Sequence, residues 1–588
     1  MGKIRLAIFW TVLLASLPVL AQTPPTPDLS AAKRLQQQQQ QLIEDEIRRR
    51  AVQEALERPT PASAIGVPQA PPTPPKPEIT GPCVDIKEIK FSGNTKVSSW
   101  RIRRIASGYQ NRCLTVDEIN RFLNDVTNVY IGRGYITSRA FMIMPQMYLK
   151  EGILEIKIIE GRVAEVTGLP LGKHLTAFPL IHSGVLNLRD FEQGLDQMNR
   201  LGSNKATMEI AAAPRDDATS IVNIAVERGD RANWSVFTDN LGSKSTGELR
   251  AGGRISYDNP LGLNDQVNLM FTNSLPDDFD LRNSTSAIFG YNLPIGWWTL
   301  SNNFSYSRFK TSFPLPISGT PFYTLGNTVT NAFSVDRVLS RGQRYKVSAA
   351  AGITYKDTNN FTRVLDLHMK NESSSRVLTV VNLDLPFTLY FSSGMLYAKP
   401  GFVKGTRLFG AFSDLQSPYS QKAQYEAYKL YAFSNWRFGP VAWSTSVDSQ
   451  YSNDELFSSE AFYMGGESTV RGFKNEGVQG DSGFSIRNDL SFNLPSLLES
   501  QNRWLGAFTP SVFVDYGRVF PNAKPGPLHP MLSDNDVKSK TLAGTGAKIA
   551  FNYWIFEASA TYSWILYKEP WMNEKSAAYL YAGIKSSF

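Results

Sequence analysis

The chain has 588 residues, with 61 Lys and Arg against 53 Asp and Glu, a formal charge of +8, and only 19% charged residues beside 42% hydrophobic and 12% aromatic ones. Low charge with many aromatics excludes a disordered chain or a coiled coil as the whole, and so modest a charge does not call for nucleic acid as a partner. Two cysteines and four histidines leave little material for a metal site or a thiol enzyme.

Residues 1–21 read as a secretory signal. Lys3 and Arg5 give the positive start, Leu6 to Leu20 the short apolar stretch, and Val19-Leu20-Ala21 the cleavage site before Gln22. Beyond it no apolar run reaches the ~18 residues a spanning helix needs. The mature chain is therefore either soluble outside the cytoplasm or a membrane β-barrel. Region 22–58 holds a predicted helix, Ser30 to Arg58, with the narrow stripe Ile43, Ile47, Ala51, Ala55 at i+4 spacing. Such a stripe cannot build its own core. It leaves a solvated helix, a disordered tail, or a helix that docks into a polar cavity elsewhere in the molecule. Residues 59–82 form a proline-rich linker, extended and unable to fold alone.

Residues 83–161 and 162–230 read as two consecutive α+β units. In the first, Thr115 to Glu118 is a capping box before a helix carrying Ile119, Phe122, Val126 and Tyr130. Strands are expected over Tyr135–Met144 and Ile153–Glu160. In the second, a helix over Leu188–Leu201 precedes strands over Ala206–Ala213 and Ser220–Glu227. Residues 231–588 change to period-two patterning. Phe556, Ala558, Ala560, Tyr562 and Trp564 alternate with Glu557, Ser559, Thr561 and Ser563, one face for lipid and one for water. Short turns such as Asn259–Asp265 and Ser340–Arg344 separate these segments. At roughly 22 residues per strand and connection, this stretch accommodates about 16 strands. A soluble sandwich array is the alternative, but it rarely keeps such alternation without domain breaks.

The search for chemistry finds no catalytic residues and no cofactor or metal site. Gly168 to Lys173 is one residue short of a phosphate loop, and His174 stands where Ser or Thr belongs. Cys83 and Cys113 read as a structural disulfide in an oxidising compartment. A reactive pair would want Cys-x-x-Cys spacing.

The informative stretch is Gly465, Gly466, Val470, Arg471, Gly472 and Phe473 in a long loop, with Arg487 to Leu490 and then Phe513, Asp515 and Gly517 downstream. At these residues the chain resembles the two-partner secretion transporters, the TpsB family of haemolysin-activator and filamentous-haemagglutinin exporters. The resemblance implies a membrane all-β fold: a 16-stranded outer-membrane β-barrel, preceded by two periplasmic α+β POTRA domains and an N-terminal plug helix. It implies that the 465–473 loop folds back into the lumen, with Arg471 set against Asp515. A five-donor guanidinium facing two carboxylate oxygens suits that task, and Asp515 shares its strand face with Phe513 and Gly517. The implied function is not enzymatic. It is export of an unfolded TpsA-type partner (adhesin, haemolysin or contact-dependent toxin) across the outer membrane. Outer-membrane lipids and lipopolysaccharide would surround the barrel, and barrel-assembly machinery and periplasmic chaperones would serve it during biogenesis. Two readings compete: a POTRA-barrel assembly factor, which usually carries more POTRA units and no plug helix, and a barrel enzyme or porin, for which no catalytic set is present.

Overall fold

The computed structural model describes residues 48–49, 52, 65–66, 82–169, 176–178, 184–213, 218–314, 321–365, 367–372, 374–414, 420–497, 506–522, 538–574 and 576–585. The predicted leader, most of regions 22–58 and 59–82, residues 170–175 and the last three residues lie outside them.

The first α+β unit is built on a sheet ordered Glu88–Ser92, Ile153–Ile159, Arg139–Met142, with the helices Ser99–Ala106 and Val116–Ile131 packed on it. Thr115 caps the longer helix and Glu118 returns a bond to the Thr115 amide at 2.9 Å, completing the expected capping box. Ile102, Phe122, Val126, Tyr130, Leu154, Ile156 and Ile158 form its core. The Ser99–Ala106 helix is an addition to the sequence reading. It buries only Ile102 and Ala106 among three arginines, too few positions to register as periodicity. Conversely, the Tyr135–Met144 strand shortens to Arg139–Met142. Cys83 and Cys113 are joined, their Cα atoms 5.3 Å apart, across the paired strands Cys83–Ile86 and Arg112–Thr115. At the far end Glu160 accepts from the amides of Thr95 and Lys96, both at 2.7 Å, and from the Tyr130 hydroxyl at 3.1 Å. Burial pushes this carboxyl up, but these bonds together with one from the Thr95 hydroxyl outweigh it and hold it below its ordinary range. The tie is thus intact above the ordinary carboxylate range and is lost as pH falls through the lowered pKa.

The second unit has the helix Leu188–Asn199 against strands Arg162–Thr167, Asn204–Ala212 and Thr219–Arg228. Phe191, Leu195, Met198, Met208, Val222 and Ile224 fill its core. One neighbour on the sheet comes from outside the unit. The linker residues Ile65–Gly66 pair in parallel with Asn204–Ala212, Ile65 opposite Met208. The linker is therefore not only a spacer.

The other face of the Leu188–Asn199 helix is polar and buried against the barrel's periplasmic turns. Gln193 and Gln197 both donate to the Gly296 carbonyl, at 3.2 and 3.3 Å. The Trp297 indole donates to Asp190 at 2.9 Å. Arg341, buried, contacts Asp196 at 2.7 Å and donates to Gln193 at 2.9 Å. A cation this desolvated needs its partners, so charge and hydrogen bonds fix the second unit to the barrel floor.

The remaining chain closes into an antiparallel barrel of 16 strands, with Ala232–Asp239 paired to Ala577–Lys585 to complete the ring. Closure satisfies every ladder, as hydrocarbon demands. Arg376–Asp384 and Phe387–Tyr390 are one strand broken at Leu385-Pro386, where proline has no N–H to give. Leu367–Lys370 is a hairpin arm on Tyr345–Val364. Alternation is as expected: Phe556, Tyr562 and Trp564 are exposed on the outside while Thr561 and Ser563 are buried within. The Ser340–Arg344 turn is tighter than anticipated, because strands Pro321–Gly342 and Tyr345–Val364 leave only residues 343–344 between them. No helix among the described residues is long and apolar enough to cross a membrane; this barrel crosses with strands.

Candidate functional site

The loop between Val441–Tyr451 and Ser482–Phe492 returns into the barrel. Its arms, Phe462–Met464 and Val478–Gly480, pair with each other, and its tip carries Gly465 to Phe473. Val470 and Phe473 are fully buried with Phe462, Met464, Val478, Val519, Leu542 and Met572. Two such side chains contribute about 1.5–3 kcal/mol each, enough to hold the tip against the wall. Gly465 starts the tip with its amide on the Thr469 hydroxyl at 2.8 Å, and Gly466 follows. Gly472 has φ +112°, a conformation that disfavours any side chain. Its amide donates to the Tyr579 hydroxyl at 3.3 Å.

Between Val470 and Gly472, Arg471 points at the strand Phe508–Phe520. Its Nε and Nη2 meet the two oxygens of Asp515 at 2.7 and 2.6 Å, and its own amide reaches the same carboxylate at 3.0 Å. Asp515 is thus satisfied by three donors. The guanidinium lies 3.5 Å over the Phe513 ring, a cation–π stack. Phe513, Asp515 and Gly517 face inward together, with Val512, Val514 and Tyr516 exposed outside. Gly517 allows close approach: a Cβ there would stand 2.1 Å from Met464 Sδ. The motif residues are therefore all in one contact region.

The Arg487–Leu490 run supplies a further partner. Asp489, on the neighbouring strand Ser482–Phe492, takes Arg471 Nη1 and Nη2 at 2.7 and 3.1 Å. Register brings it there, since Asp489 sits opposite Phe513 and Arg487 opposite Asp515. The available signal was the alternation of Arg487 and Asp489 on one face. Arg471 thus uses Nε, Nη1 and Nη2 against two carboxylates, and is only 1% exposed while Asp515 is 0%. Charges this desolvated are stable only as a set.

The loop covers one wall. On the opposite wall a cavity of about 360 Å³ is lined by Asn303, Ser305, Ser307, Thr328, Thr330, Lys356 and Glu460 together with Ile288, Leu378 and Val380. Into this space come the described residues of region 22–58. Arg48 forms an ion pair with Asp448 and lies 5.5 Å over the Tyr431 ring. Arg49 meets Glu467 of the loop tip at 3.1 Å. Val52 packs on Met395 and Tyr397. Residues 48, 49 and 52 are helical, and they touch both the barrel wall and the folded-in loop.

Comparison with known proteins agrees with this architecture. The family model for haemolysin secretion/activation protein ShlB/FhaC/HecB matches residues 218–534. A ShlB-type POTRA model matches 84–161 and a second POTRA model matches 172–212. The outer membrane transporter CdiB of Escherichia coli is 33% identical over 503 residues, covering 82% of this chain and 81% of that one. The haemolysin transporter protein ShlB of Serratia marcescens is 27% identical over 490 residues, covering 82% and 83%. The solved structure of CdiB from Escherichia coli superposes with a TM-score of 0.80 at 28% identity, over 96% of this chain and 100% of that one. The chain belongs to the ShlB/FhaC/HecB family of haemolysin secretion/activation proteins, and is a TpsB-type outer-membrane transporter with its POTRA domains in the periplasm.

Proposed function

We propose that the chain exports one dedicated TpsA-type protein, in unfolded form, along the cavity between the folded-in loop and the opposite barrel wall. The observation that carries this reading is the Arg49–Glu467 contact, which ties the helix in the pore to the loop that Arg471 clasps. The lining beside them mixes hydroxyl and amide groups (Asn303, Ser305, Ser307, Thr328, Thr330) with apolar side chains such as Ile288, Leu378 and Val380, so a passing backbone finds exchangeable hydrogen bonds along the way. The POTRA domains receive the partner by strand addition. The Asn204–Ala212 edge, held at rest by Ile65–Gly66, is a suitable place, because occupying it would loosen the linker behind the plug. No nucleotide is needed if folding outside gives the direction. Barrel-assembly machinery and periplasmic chaperones bring the transporter itself to the membrane.

The experiment is co-expression with the secreted protein encoded beside it. Release to the medium only when both are present is expected. Equal release without the transporter would end this reading.

A further inference from the structure

Outside the barrel, the extracellular ends of three adjacent strands carry a feature the export mechanism does not use. Strands Trp298–Pro314, Pro321–Gly342 and Tyr345–Val364 pair in register, and Leu367–Lys370 extends them. Directly paired residues share a face. Inward positions are settled by burial of Ser305, Ser307, Thr311, Thr324, Thr328 and Thr358. The alternate residues therefore point out. In ascending order they form the rows Arg308–Asn327–Asn359, then Lys310–Leu325–Phe361–Lys370, then Ser312–Tyr323–Arg363–His368.

The cations converge on one ring. Lys310 Nζ lies 5.0 Å and Arg363 Cζ 4.2 Å from the Tyr323 centroid. Two cations held at one ring repel unless an anion joins them. These rows hold no carboxylate. Among the described residues, Asp357 lies one row lower and accepts from Asn359 at 3.0 Å, and Glu372 stands 4.0 Å from Lys370 at the rim.

Height decides what the anion is. Arg337 stacks on Trp298 at 4.9 Å at the periplasmic end of the same strands, an aromatic girdle position. Exposed Phe304 and Phe333 mark the lipid belt above it. At ~2.5 Å of axial rise per residue for a strand tilted ~40°, Lys310 stands about 30 Å above Trp298. The apolar band is ~25 Å tall, so the cationic rows sit at the outer-leaflet headgroups.

We propose that Lys310 and Arg363, both held on Tyr323, with Lys370 in the same rows, bind the phosphates of an outer-leaflet phosphorylated glycolipid, with its acyl chains lying down the wall over Phe304 and Phe333. The inference rests on the outer-membrane location of the barrel, not on the identity of the exported protein. The site anchors the tall strands of this side in the outer leaflet.

The test uses the full chain in nanodiscs doped with diphosphorylated lipid A, with bound lipid read by native mass spectrometry. Each neutralised cation near a charged surface is worth a few-fold in affinity, so Lys310→Gln with Arg363→Gln is expected to weaken retention on the order of 30-fold. Each single variant is expected to fall between. Heat-modified gel mobility establishes that every variant barrel is folded, and the single variants serve if the double one is not. Unchanged retention in the variants would overturn the proposal. So would equal retention of dephosphorylated lipid A, or of phosphatidylglycerol at the same level, or equal occupancy by inorganic phosphate.

Discussion

Replacing Arg471 with alanine should leave a folded barrel in the membrane and reduce export at least tenfold. The barrel survives because its closure rests on strand ladders and not on the loop. The loop does not keep its place. Asp515, fully buried, loses two of its three donated bonds and keeps the one from the amide of residue 471. Asp489 then faces it across the same gap with no cation between them. Leaving a buried charge uncompensated costs about 3–5 kcal/mol, comparable with the apolar anchoring that Val470 and Phe473 supply. A large share of molecules should therefore carry a displaced tip. Arg471→Lys should rescue little, since one ammonium cannot serve two bidentate carboxylates and stack on Phe513. Export of a co-expressed partner is the readout, with protease cleavage within 465–473 reporting the displacement. Normal export by Arg471→Ala would remove the clasp from the mechanism.

Asp448→Asn combined with Glu467→Gln should raise ion conductance in planar bilayers, on the way to the level reached by deleting Ser30–Arg58. Arg48 and Arg49 meet these two carboxylates inside the barrel. The plugged and open states differ by the helix's contacts in the pore, so weakening them shifts the population. Charge-assisted contacts in a partly desolvated lumen are worth on the order of 1–2 kcal/mol each. Losing two should increase the open fraction by at least tenfold when the plugged state dominates. A deletion with conductance equal to that of the full chain would mean that region 22–58 does not seal the pore.

The barrel was legible because its physics is repetitive. Each strand restates the choice between lipid and water, so Tyr562 and Thr561 alone carry the message that the ladders Phe556–Tyr567 and Ala577–Lys585 complete. Arg471 and Asp515 were legible for a different reason: their types and spacing match a family pattern. Asp489 was not, because its place depends on register between two strands, and register is a tertiary fact. The same holds for Ile65–Gly66. Two residues among prolines show no period, and only the free edge of Asn204–Ala212 makes them a strand. The floor contacts of Gln193, Gln197 and Arg341 are not legible in the sequence, because a polar helix face reads as solvated until something covers it.

The central claim is that the exported chain travels inside the barrel, beside the clasped loop. Photo-crosslinking of a stalled export intermediate tests it most directly. A crosslinker at Thr330, which lines the cavity, should capture the partner, while one at Phe304 on the outer surface should capture none. Adducts at Phe304 without adducts at Thr330 would contradict the account.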